Sequence, residues 1–502
     1  MTSATDIRLA DEVAVQKNPH HARRWWILAV LGIAQLMVVL DATIVNIALP
    51  TAQSHLGFSD TDRQWIITAY SLAFGGLLLI GGRVADLVGR KWAFVVGLIG
   101  FGAASALGGA AQSFAMLATA RAVQGLFAAL LAPAALALLT VIFTDPSERG
   151  KAFGIYGGIA GGGGAIGLLL GGVLTEYASW RWTMYINLIF AVIAVVGALL
   201  WLHHGVAERR PKLDLPGTVL VTAGLFSLVY GFSRAETAGW GDALTLGFLL
   251  GSVVLLTAFF ALQARTKSPL LPLRLLLDRN RGGAFLVMIF ASAGLFAVFL
   301  FLTYYLQVNL HYSQVASGLA FLPMTLLIIV ASALGSTVLL RNVSPKVMIP
   351  SGMIVAGVGI AWLAQIGLHT SYVSVVLPAS LLIGLGLGVV FAPAFAISTL
   401  GVAPDDAGIA SATVNTVQQV GGSIGTALFN TIAASVAGNY VAAHLAGATD
   451  PQTLGAAAAV HSYQVAFWIA AGVYLAGAVI SAIVLRPGVV DVAEAEHSVG
   501  ML

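Results

Sequence analysis

Long uncharged apolar stretches recur along the whole chain, and they constrain its fold more than any other feature. A helix rises 1.5 Å per residue, so it crosses the roughly 30 Å hydrocarbon core of a bilayer in about 20 residues. Of the 502 residues, 59% are hydrophobic and 9% are charged, whereas about a quarter of a typical soluble domain is charged. The sequence therefore excludes a soluble globular fold and predicts an all-α polytopic membrane protein.

Apolar stretches bounded by charges or by Gly, Pro and Asn predict fourteen spans. Arg234, Glu236 and Asp242 interrupt the seventh and eighth spans, which are the least regular. The predicted spans lie near residues 26–49, 65–82, 92–112, 115–141, 152–174, 183–202, 216–233, 243–264, 284–308, 315–340, 347–368, 373–400, 409–435 and 464–485.

The placement of basic residues tests the number of spans, because Lys and Arg concentrate in cytoplasmic loops. On one side, the connections between the predicted spans carry only Arg63, Arg181 and Arg234. The connections on the other side carry Arg83, Arg90, Lys91, Arg149, Lys151, Arg209, Arg210, Lys212, Arg265, Lys267, Arg274, Arg279, Arg281, Arg341 and Lys346. This segregation predicts that both termini are cytoplasmic.

The loop with Asp405 and Asp406 is the exception, because it has no basic residue although it belongs to the predicted cytoplasmic side. The first 25 residues are polar and lack the apolar core of a signal peptide. We therefore expect the first span to act as an uncleaved signal.

An internal repeat appears when the chain is shifted so that Ala132-Pro133-Ala134 falls on Ala392-Pro393-Ala394 and Asp145 falls on Asp405. A repeat at this distance is expected if two six-helix bundles are separated by two extra helices. The alternative is chance similarity between two helices rich in Ala and Gly. The predicted parts are a tail (1–25), an N-terminal bundle (26–204), a linker with two spans (205–281), a C-terminal bundle (282–486) and a second tail (487–502).

The stretch Gly82-Arg83-Val84-Ala85-Asp86-Leu87-Val88-Gly89-Arg90-Lys91 connects the second and third spans. Glycine permits a tight turn, and charges of opposite sign can pair with a neighbouring helix end in one conformation and release it in another. An ordinary basic turn would need the arginines but would have no need of the carboxylate. We therefore interpret Gly82, Arg83, Asp86, Gly89 and Arg90 as a cytoplasmic gating motif.

Asp41 is the carboxylate that lies deepest inside a regular predicted span. An ionisable group within a membrane is costly and marks a functional site by default. Burial favours the neutral acid, whereas a neighbouring Arg121 would favour the ionised form. We interpret Asp41 as a proton carrier with Arg121 as its partner. The alternative is a permanent ion pair, or a carboxylate that faces extracellular water.

Polar side chains at helical spacing predict a cavity. In the thirteenth span, Asn415, Gln418 and Gln419 accompany Ser411, and in the first half of the chain Asn46 lies in the span of Asp41 and Gln124 in the span of Arg121. We expect Asn46, Gln124, Asn415, Gln418 and Gln419 to line a substrate cavity.

Small residues recur in the fifth span at Gly163, Gly167, Gly171 and Gly172. Glycines on successive turns allow close contact between helix backbones. Simple helix packing explains this run equally well when it is taken alone.

Four of these features resemble known motifs, in the order expected for one family. The loop 82–91 resembles the signature loop of the major facilitator superfamily, and Arg121, Gln124, Gly125 and Ala128 are similar to its fourth-helix motif. The segment 40–50 (Leu-Asp-Ala-Thr-Ile-Val-Asn-Ile-Ala-Leu-Pro) resembles the first-helix motif of its fourteen-span drug:proton antiporters, of the EmrB/QacA type. The glycine run, followed by Trp180-Arg181-Trp182, resembles their antiporter motif. Leu168 departs from that motif, which has proline there, and leaves the shape of the fifth helix open.

This resemblance implies the major facilitator fold and a proton-coupled exporter of amphipathic organic compounds such as drugs, dyes or antibiotics. The implied partners are a small organic substrate, protons and the bilayer, and the implied location is the cell (inner) membrane. We expect no cofactor, metal or nucleic acid, and a functional monomer. The alternative is a dedicated exporter of a lipid or of a single natural product. The chain has no G-x-x-x-x-G-K-[ST] phosphate loop, so we do not expect an ATP-driven pump in this chain. Its histidines lie mainly in tails and loops and lack metal-ligand spacing, so we do not expect an enzyme.

Overall fold

The computed structural model of the chain describes residues 21–58, 60–203, 214–266, 269–339, 342–400, 402, 406–445 and 450–488. Most of both predicted tails, most of the connection 203–215 and Asp405 lie outside these ranges. The side chains of Asn46, Arg63 and Glu236 also lie outside the description.

Fourteen long helices, α1 to α14, occupy most of the described chain and follow the fourteen predicted spans in order, so the prediction of an all-α polytopic fold is confirmed. A short helix, Leu273–Leu277, precedes α9. The first seven are α1 (Arg24–Leu56), α2 (Asp60–Val88), α3 (Arg90–Gly109), α4 (Phe114–Ile142), α5 (Pro146–Tyr177), α6 (Trp182–Trp201) and α7 (Leu215–Ala238). The remaining seven are α8 (Ala243–Gln263), α9 (Arg279–Tyr304), α10 (Gln314–Leu334), α11 (Pro345–Leu363), α12 (Leu377–Thr399), α13 (Ala407–His444) and α14 (Pro451–Val484).

Helix α5 is bent. Its segments Glu148–Gly164 and Ile166–Tyr177 meet at 44°. Each of the other thirteen long helices contains an unbroken stretch that is long and apolar enough to cross a bilayer. Helices bend at glycine pairs as well as at proline, and the run Gly161–Gly164 directly precedes the break. The bend therefore forms although Leu168 replaces the proline of the resembled motif.

Polar contacts gather many helix ends on one side of the molecule, which we call the basic side. On this side the N-terminal turn of α1 contacts that of α5, and α5 also contacts the C-terminal end of α12. The N-terminal turn of α9 contacts the C-terminal ends of α12 and α14, and α3 contacts the end of α6. The joining contacts run from Arg24 to Glu148, Arg149 to Thr399, Arg279 to Ile483, Arg281 to Leu400 and Lys91 to Leu202. At the opposite ends, Arg181 between α5 and α6 donates to the carbonyl oxygens of Gly109 and Ala111 after α3.

The loop before α13 also belongs to the basic side, although it has no basic residue of its own. The Arg274 guanidinium of the short helix lies 2.5 Å from the Asp406 carboxylate in this loop. The charge that the loop lacks is therefore supplied by the linker region.

The helix packing repeats between the two halves of the chain. The contacts of α1 with α5, α2 with α4, α3 with α4 and α3 with α6 recur as α9 with α13, α10 with α12, α11 with α12 and α11 with α14. Across the halves, α2 packs on α13 and α5 packs on α10, which is the same contact with the halves exchanged. Pro133 and Pro393 lie inside the corresponding helices α4 and α12. The fold therefore consists of two similar six-helix bundles.

The two extra helices form a hairpin that packs through α7 on α2 and α13. The Thr68 and Ser233 hydroxyls lie 2.9 Å apart at the contact with α2. At the tip of the hairpin Arg234 lies 2.7 Å from Asp242, which also accepts from the Thr245 backbone N–H and caps α8. These hydrogen bonds lower the pKa of Asp242 to about 2, and the one from Arg234 contributes most. The charges that interrupt these spans in the sequence therefore pair at the turn.

Glycines set the distance between helices within a bundle, and α13 offers a matched pair for testing this. A Cβ on Gly425 would lie 2.5 Å from the Ala293 carbonyl oxygen of α9, whereas a Cβ on Gly438 would meet nothing within 4 Å. Alanine favours a helix over glycine by up to about 1 kcal/mol, while overpacking costs about 1–3 kcal/mol.

We expect Gly425→Ala to lower the thermal stability of the detergent-purified protein, because the added methyl group forces α9 and α13 apart. Gly438→Ala should leave the stability unchanged or raise it slightly. Thermal unfolding followed by intrinsic tryptophan fluorescence measures both variants. Equal unfolding temperatures for the two would show that the close contact of α9 and α13 does not limit stability.

Candidate functional site

Asp41 lies at the centre of a buried polar network. Its side chain in α1 is fully buried, and Oδ2 lies 2.5 Å from Nη1 of Arg121 in α4, whose side chain is 2% exposed. An unpaired charge at such a position would carry a large desolvation penalty, which a close partner of opposite sign offsets. The structure thus brings together the two residues that the sequence predicts as a proton-coupling pair.

Two amides complete the surroundings of the carboxylate. Oδ1 of Asp41 accepts from Nε2 of Gln124 at 3.1 Å and from Nδ2 of Asn187 at 2.7 Å. Gln124 also accepts from Arg121 Nη1 at 3.0 Å and donates to the Ser105 hydroxyl at 2.6 Å. Residues of α1, α3, α4 and α6 therefore form one connected hydrogen-bond network.

The Arg121 guanidinium has two further contacts, both with α2. Its Nε donates to the Ile66 carbonyl oxygen at 3.4 Å, and its central carbon lies 4.3 Å from the centroid of the Tyr70 ring. A cation over an aromatic face is attracted by the negative face of the ring. Arg121 is therefore held by Asp41 of α1, by Gln124 of its own helix and by α2.

The local sequence of α4 explains why this network can form. Arg121 and Gln124 are three residues apart and share a helix face. Gly125 follows, and a Cβ there would clash with the Tyr70 carbonyl oxygen. The glycine lets α2 approach the helix that carries the arginine. Asn187 is the one amide in α6, which has no charged side chain, whereas no sequence pattern sets Ser105 or Tyr70 apart from other helix residues.

The glycine run of α5 packs on α1, the helix that carries Asp41. A Cβ on Gly163 would lie 3.0 Å from Cγ1 of Val39, and one on Gly167 would lie 3.0 Å from the Leu40 carbonyl oxygen. A Cβ on Gly171 would lie 2.9 Å from Cγ1 of Ile44. Gly172 is also buried. This run therefore fixes α1 closely against the bent helix α5, on both sides of Asp41 along the chain.

The predicted gating motif lies where the two bundles meet on the basic side. The buried Asp86 carboxylate lies 3.5 Å from Arg90 and packs against Gly408 in the first turn of α13, where a Cβ would lie 2.4 Å from Oδ1 of Asp86. A carboxylate at a helix N-terminus is stabilised by the exposed N–H groups and the helix dipole. A Cβ on Gly82 would lie 2.5 Å from Cβ of Ala412, which is also in α13. The Asp86 carboxylate thus lies at the N-terminus of a helix of the other bundle.

The remaining members of the motif shape its turn. The Arg83 side chain is buried near Asp86. Gly89 adopts φ +98° and begins α3, and this positive φ is readily available only to glycine.

A second contact between the bundles on the basic side involves the opposite charge. Arg149 in the first turn of α5 is buried and donates from Nη2 to the Thr399 carbonyl oxygen at 3.2 Å, at the C-terminus of α12. Cations are favoured at helix C-termini. Each bundle interface on this side therefore pairs a side chain with the complementary end of a helix from the other bundle.

The polar residues predicted to line a cavity separate into different surroundings. Gln124 is fully buried within the Asp41 network, and Asn415 donates to the Ser411 carbonyl oxygen within α13 at 2.9 Å. Gln418 and Gln419 are half-buried, and within the described ranges no hydrogen bond involves their side chains. A Cβ on Gly75 of α2 would lie 3.1 Å from Cγ of Gln419, so this glutamine reaches the contact between the bundles. The Asn46 side chain is not described.

Comparison with known proteins finds similarity over most of the chain. The family described as the Major Facilitator Superfamily matches residues 31–426. The chain is 50% identical to a puromycin resistance protein of Streptomyces alboniger, covering 91% of each chain. It is 39% identical to a cephamycin export protein of Amycolatopsis lactamdurans, covering 80% of this chain and 83% of the relative. It is 33% identical to a lincomycin resistance protein of Streptomyces lincolnensis, covering 96% and 95%.

A solved structure, that of a human organic anion transporter, covers 91% of this chain and 99% of its own with a TM-score of 0.61. The two sequences are 15% identical, so this likeness shows the fold alone.

The buried ion pair predicts how its two partners are coupled in stability. Arg121→Gln leaves the Asp41 carboxylate without its cation, and breaking a buried pair from one side costs about 3–5 kcal/mol. We expect Arg121→Gln with Asp41→Asn to be more stable than Arg121→Gln alone, because the double variant has no unpaired charge. Thermal unfolding of the four proteins in detergent gives the coupling. Additive losses would contradict a direct pair.

Proposed function

Since the chain belongs to the Major Facilitator Superfamily and is therefore a membrane transporter and not an enzyme, we propose that it exports small organic antibiotics in exchange for protons, by alternating access. The observation that carries the proposal is the network at Asp41, where a fully buried carboxylate meets one arginine and two amides. Transport of an uncoupled solute would have no need of an ionisable group at this cost.

Asp41 is suited to carry the proton. Its carboxylate pairs with Arg121, and neutralisation of Asp41 by a proton would leave Arg121 still held by the Ile66 carbonyl oxygen, Gln124 and the Tyr70 ring. The cation is therefore not left unpartnered when the acid is neutral. A permanent ion pair would keep Asp41 in one state throughout the cycle, and this is the alternative that substitution tests.

The contacts on the basic side supply the gate. Asp86 holds the N-terminus of α13, and Arg149 holds the C-terminus of α12. An interaction of a charge with a helix end contributes about 0.3–2 kcal/mol, which is small enough to break and remake in every cycle. We propose that these contacts close the basic side in this conformation and part when it opens. Basic loops face the cytoplasm, so we place this side and both termini in the cytoplasm.

The names of the relatives indicate the substrate class. They refer to puromycin, cephamycin and lincomycin, which points to small organic antibiotics for this chain as well. The half-buried amides of Gln418 and Gln419 near the bundle contact would supply hydrogen bonds to such a compound. Puromycin is the first compound to test, because the puromycin resistance protein is half identical to this chain. A dedicated exporter of one compound has the same fold, and a substrate panel separates the two.

We expect inside-out vesicles that contain the protein to accumulate puromycin when the lumen is acidic, because protons leaving the lumen drive the compound inward. Asp41→Asn should abolish this accumulation, since a neutral amide cannot carry the proton. Glu176→Gln is the matched control, because Glu176 is an exposed carboxylate at the C-terminal end of α5, away from the basic side. Radiolabelled puromycin and a proton uncoupler provide the measurement.

Accumulation that survives both the uncoupler and Asp41→Asn would exclude proton antiport at this residue. Accumulation of several unrelated antibiotics would favour a multidrug exporter, and accumulation of puromycin alone a dedicated one.

Alternating access requires the bundles to move against each other, and a disulfide can test this. The chain has no cysteine, and a Cβ on Gly158 in α5 would lie 3.6 Å from Cβ of Ile329 in α10, within the usual disulfide range of about 3.5–4.5 Å. We expect oxidised Gly158→Cys/Ile329→Cys to lose transport and to recover it with a reductant. Each single cysteine variant is the control. Full transport by quantitatively cross-linked protein would contradict separation of α5 and α10.

A further inference from the structure

Asn187 lies at the edge of the Asp41 network, and no described residue donates a hydrogen bond to its side-chain oxygen. The residue is fully buried in α6 and donates from Nδ2 to Oδ1 of Asp41 at 2.7 Å. Its own Oδ1 is buried and accepts no hydrogen bond within the described ranges. A buried acceptor left without a donor costs free energy, so this orientation of the amide needs a physical reason.

The reason is the charge of Asp41. An ionised carboxylate can only accept hydrogen bonds, so a neighbouring amide must turn its N–H towards it. Once the carboxyl group is protonated it carries an O–H, which needs an acceptor in the same buried place. Oδ2 lies against Arg121, which has only donors. Oδ1 lies between two neutral amides, so it can take the proton without displacing the guanidinium.

Among the neighbours of this oxygen, the other acceptors are engaged. Gln124 Oε1 accepts from Arg121, and the Ser105 hydroxyl accepts from Gln124. Tyr70, the titratable group of α2, places its ring against Arg121, and none of the described hydrogen bonds joins its buried hydroxyl to Asp41. Two described amides, those of Gln124 and Asn187, are bonded to Oδ1 of Asp41. Of their two oxygens, Oδ1 of Asn187 is the one that accepts no described hydrogen bond.

We propose that the Asn187 amide reverses when Asp41 takes up a proton. Its Nδ2 donates to the ionised carboxylate of Asp41, and its Oδ1 accepts from the O–H of the protonated acid. A half-turn about Cβ–Cγ exchanges the positions of Oδ1 and Nδ2, which brings the oxygen to the place now 2.7 Å from Asp41. The proton binds Oδ1 of Asp41, and Asn187 keeps both amide hydrogens. One N–H···O bond is replaced by one O–H···O bond.

This reversal makes Asn187 a positioning residue that serves both states of the carrier. A cation at the same place would hold only the ionised carboxylate, and an apolar residue would stabilise neither form. With the amide, loading and release of the proton each leave the carboxyl group hydrogen-bonded. The inference rests on the proposed role of Asp41 as proton carrier, but the reversal itself is visible without substrate.

Infrared difference spectroscopy of the purified full-length protein, between high and low pH and without substrate, tests the reversal. The carboxamide carbons of asparagine carry ¹³C, and Asn187→Gln identifies the band of Asn187. When Asp41 becomes protonated, we expect this carbonyl band to move to lower frequency, because the oxygen gains an O–H donor. The band of the protonated acid should be missing in Asp41→Asn. A carbonyl band that stays in place or moves to higher frequency overturns the proposal.

Transport supplies a second test. We expect Asn187→Leu to reduce proton-driven puromycin accumulation by about tenfold, the order expected when a buried polar group loses its partner. Equilibrium binding of puromycin should be unchanged, since Asn187 does not reach the amides of α13. Asn439→Leu, at an exposed asparagine of α13, is the control. Equal losses of binding and transport would indicate a merely structural role and contradict the proposal.

The two tests separate this inference from the proposed function. A native protein that moves no puromycin under a pH gradient would refute the proposed function, while the infrared band of Asn187 would still decide whether the amide follows the protonation of Asp41.

Discussion

The buried charge of Asp41 is the constraint on which the first bundle depends. Removing a carboxylate from water is costly, and the cost is offset only when donors surround it at close range. Four helices supply or hold those donors: α4 provides Arg121 and Gln124, α6 provides Asn187, and α2 and α3 hold the arginine and the glutamine in turn. A shift of any of these helices would leave a polar group unsatisfied, so the charge specifies how the bundle packs.

Glycine packing extends this constraint from Asp41 to the second bundle. The run from Gly163 to Gly171 holds α5 against α1, and the same helix α5 packs on α10 and α12 of the other bundle. A change in the charge of Asp41 is therefore only one helix away from the bundle contact. The proposed gate relies on weaker contacts across the bundles, because Asp86 and Arg149 each meet the end of a helix of the other bundle. A strong network at the centre and weak contacts at the edge suit a carrier that must keep its site while its bundles move.

The number of helices, the basic side and the Asp41–Arg121 pair could be predicted from the sequence, because each depends on a local or periodic signal. Apolar length, loop charge and a lone carboxylate in a span need no knowledge of the tertiary structure. The roles of Tyr70 and Ser105 could not be predicted, since each is an ordinary helix residue until the packing of α2 and α3 brings it to α4. Gln124 was expected in the cavity, and its burial beside Asp41 depends on the rotation of α4, which the sequence alone does not determine.

The two bundles share a fold, but the second has apolar residues at the positions that correspond to Asp41 and Arg121. The shift that superposes Ala132 on Ala392 places Phe301 at the position of Asp41 and Leu381 at that of Arg121. Phe301 is buried among aromatic side chains of α14, 5.6 Å from the Tyr463 ring. A second buried pair would add a second desolvation cost, and under the proposed mechanism the single pair at Asp41 restricts proton chemistry to the first bundle. In the proposed mechanism the second bundle presents neutral amides to the substrate, and the half-buried Gln418 and Gln419 have that chemistry.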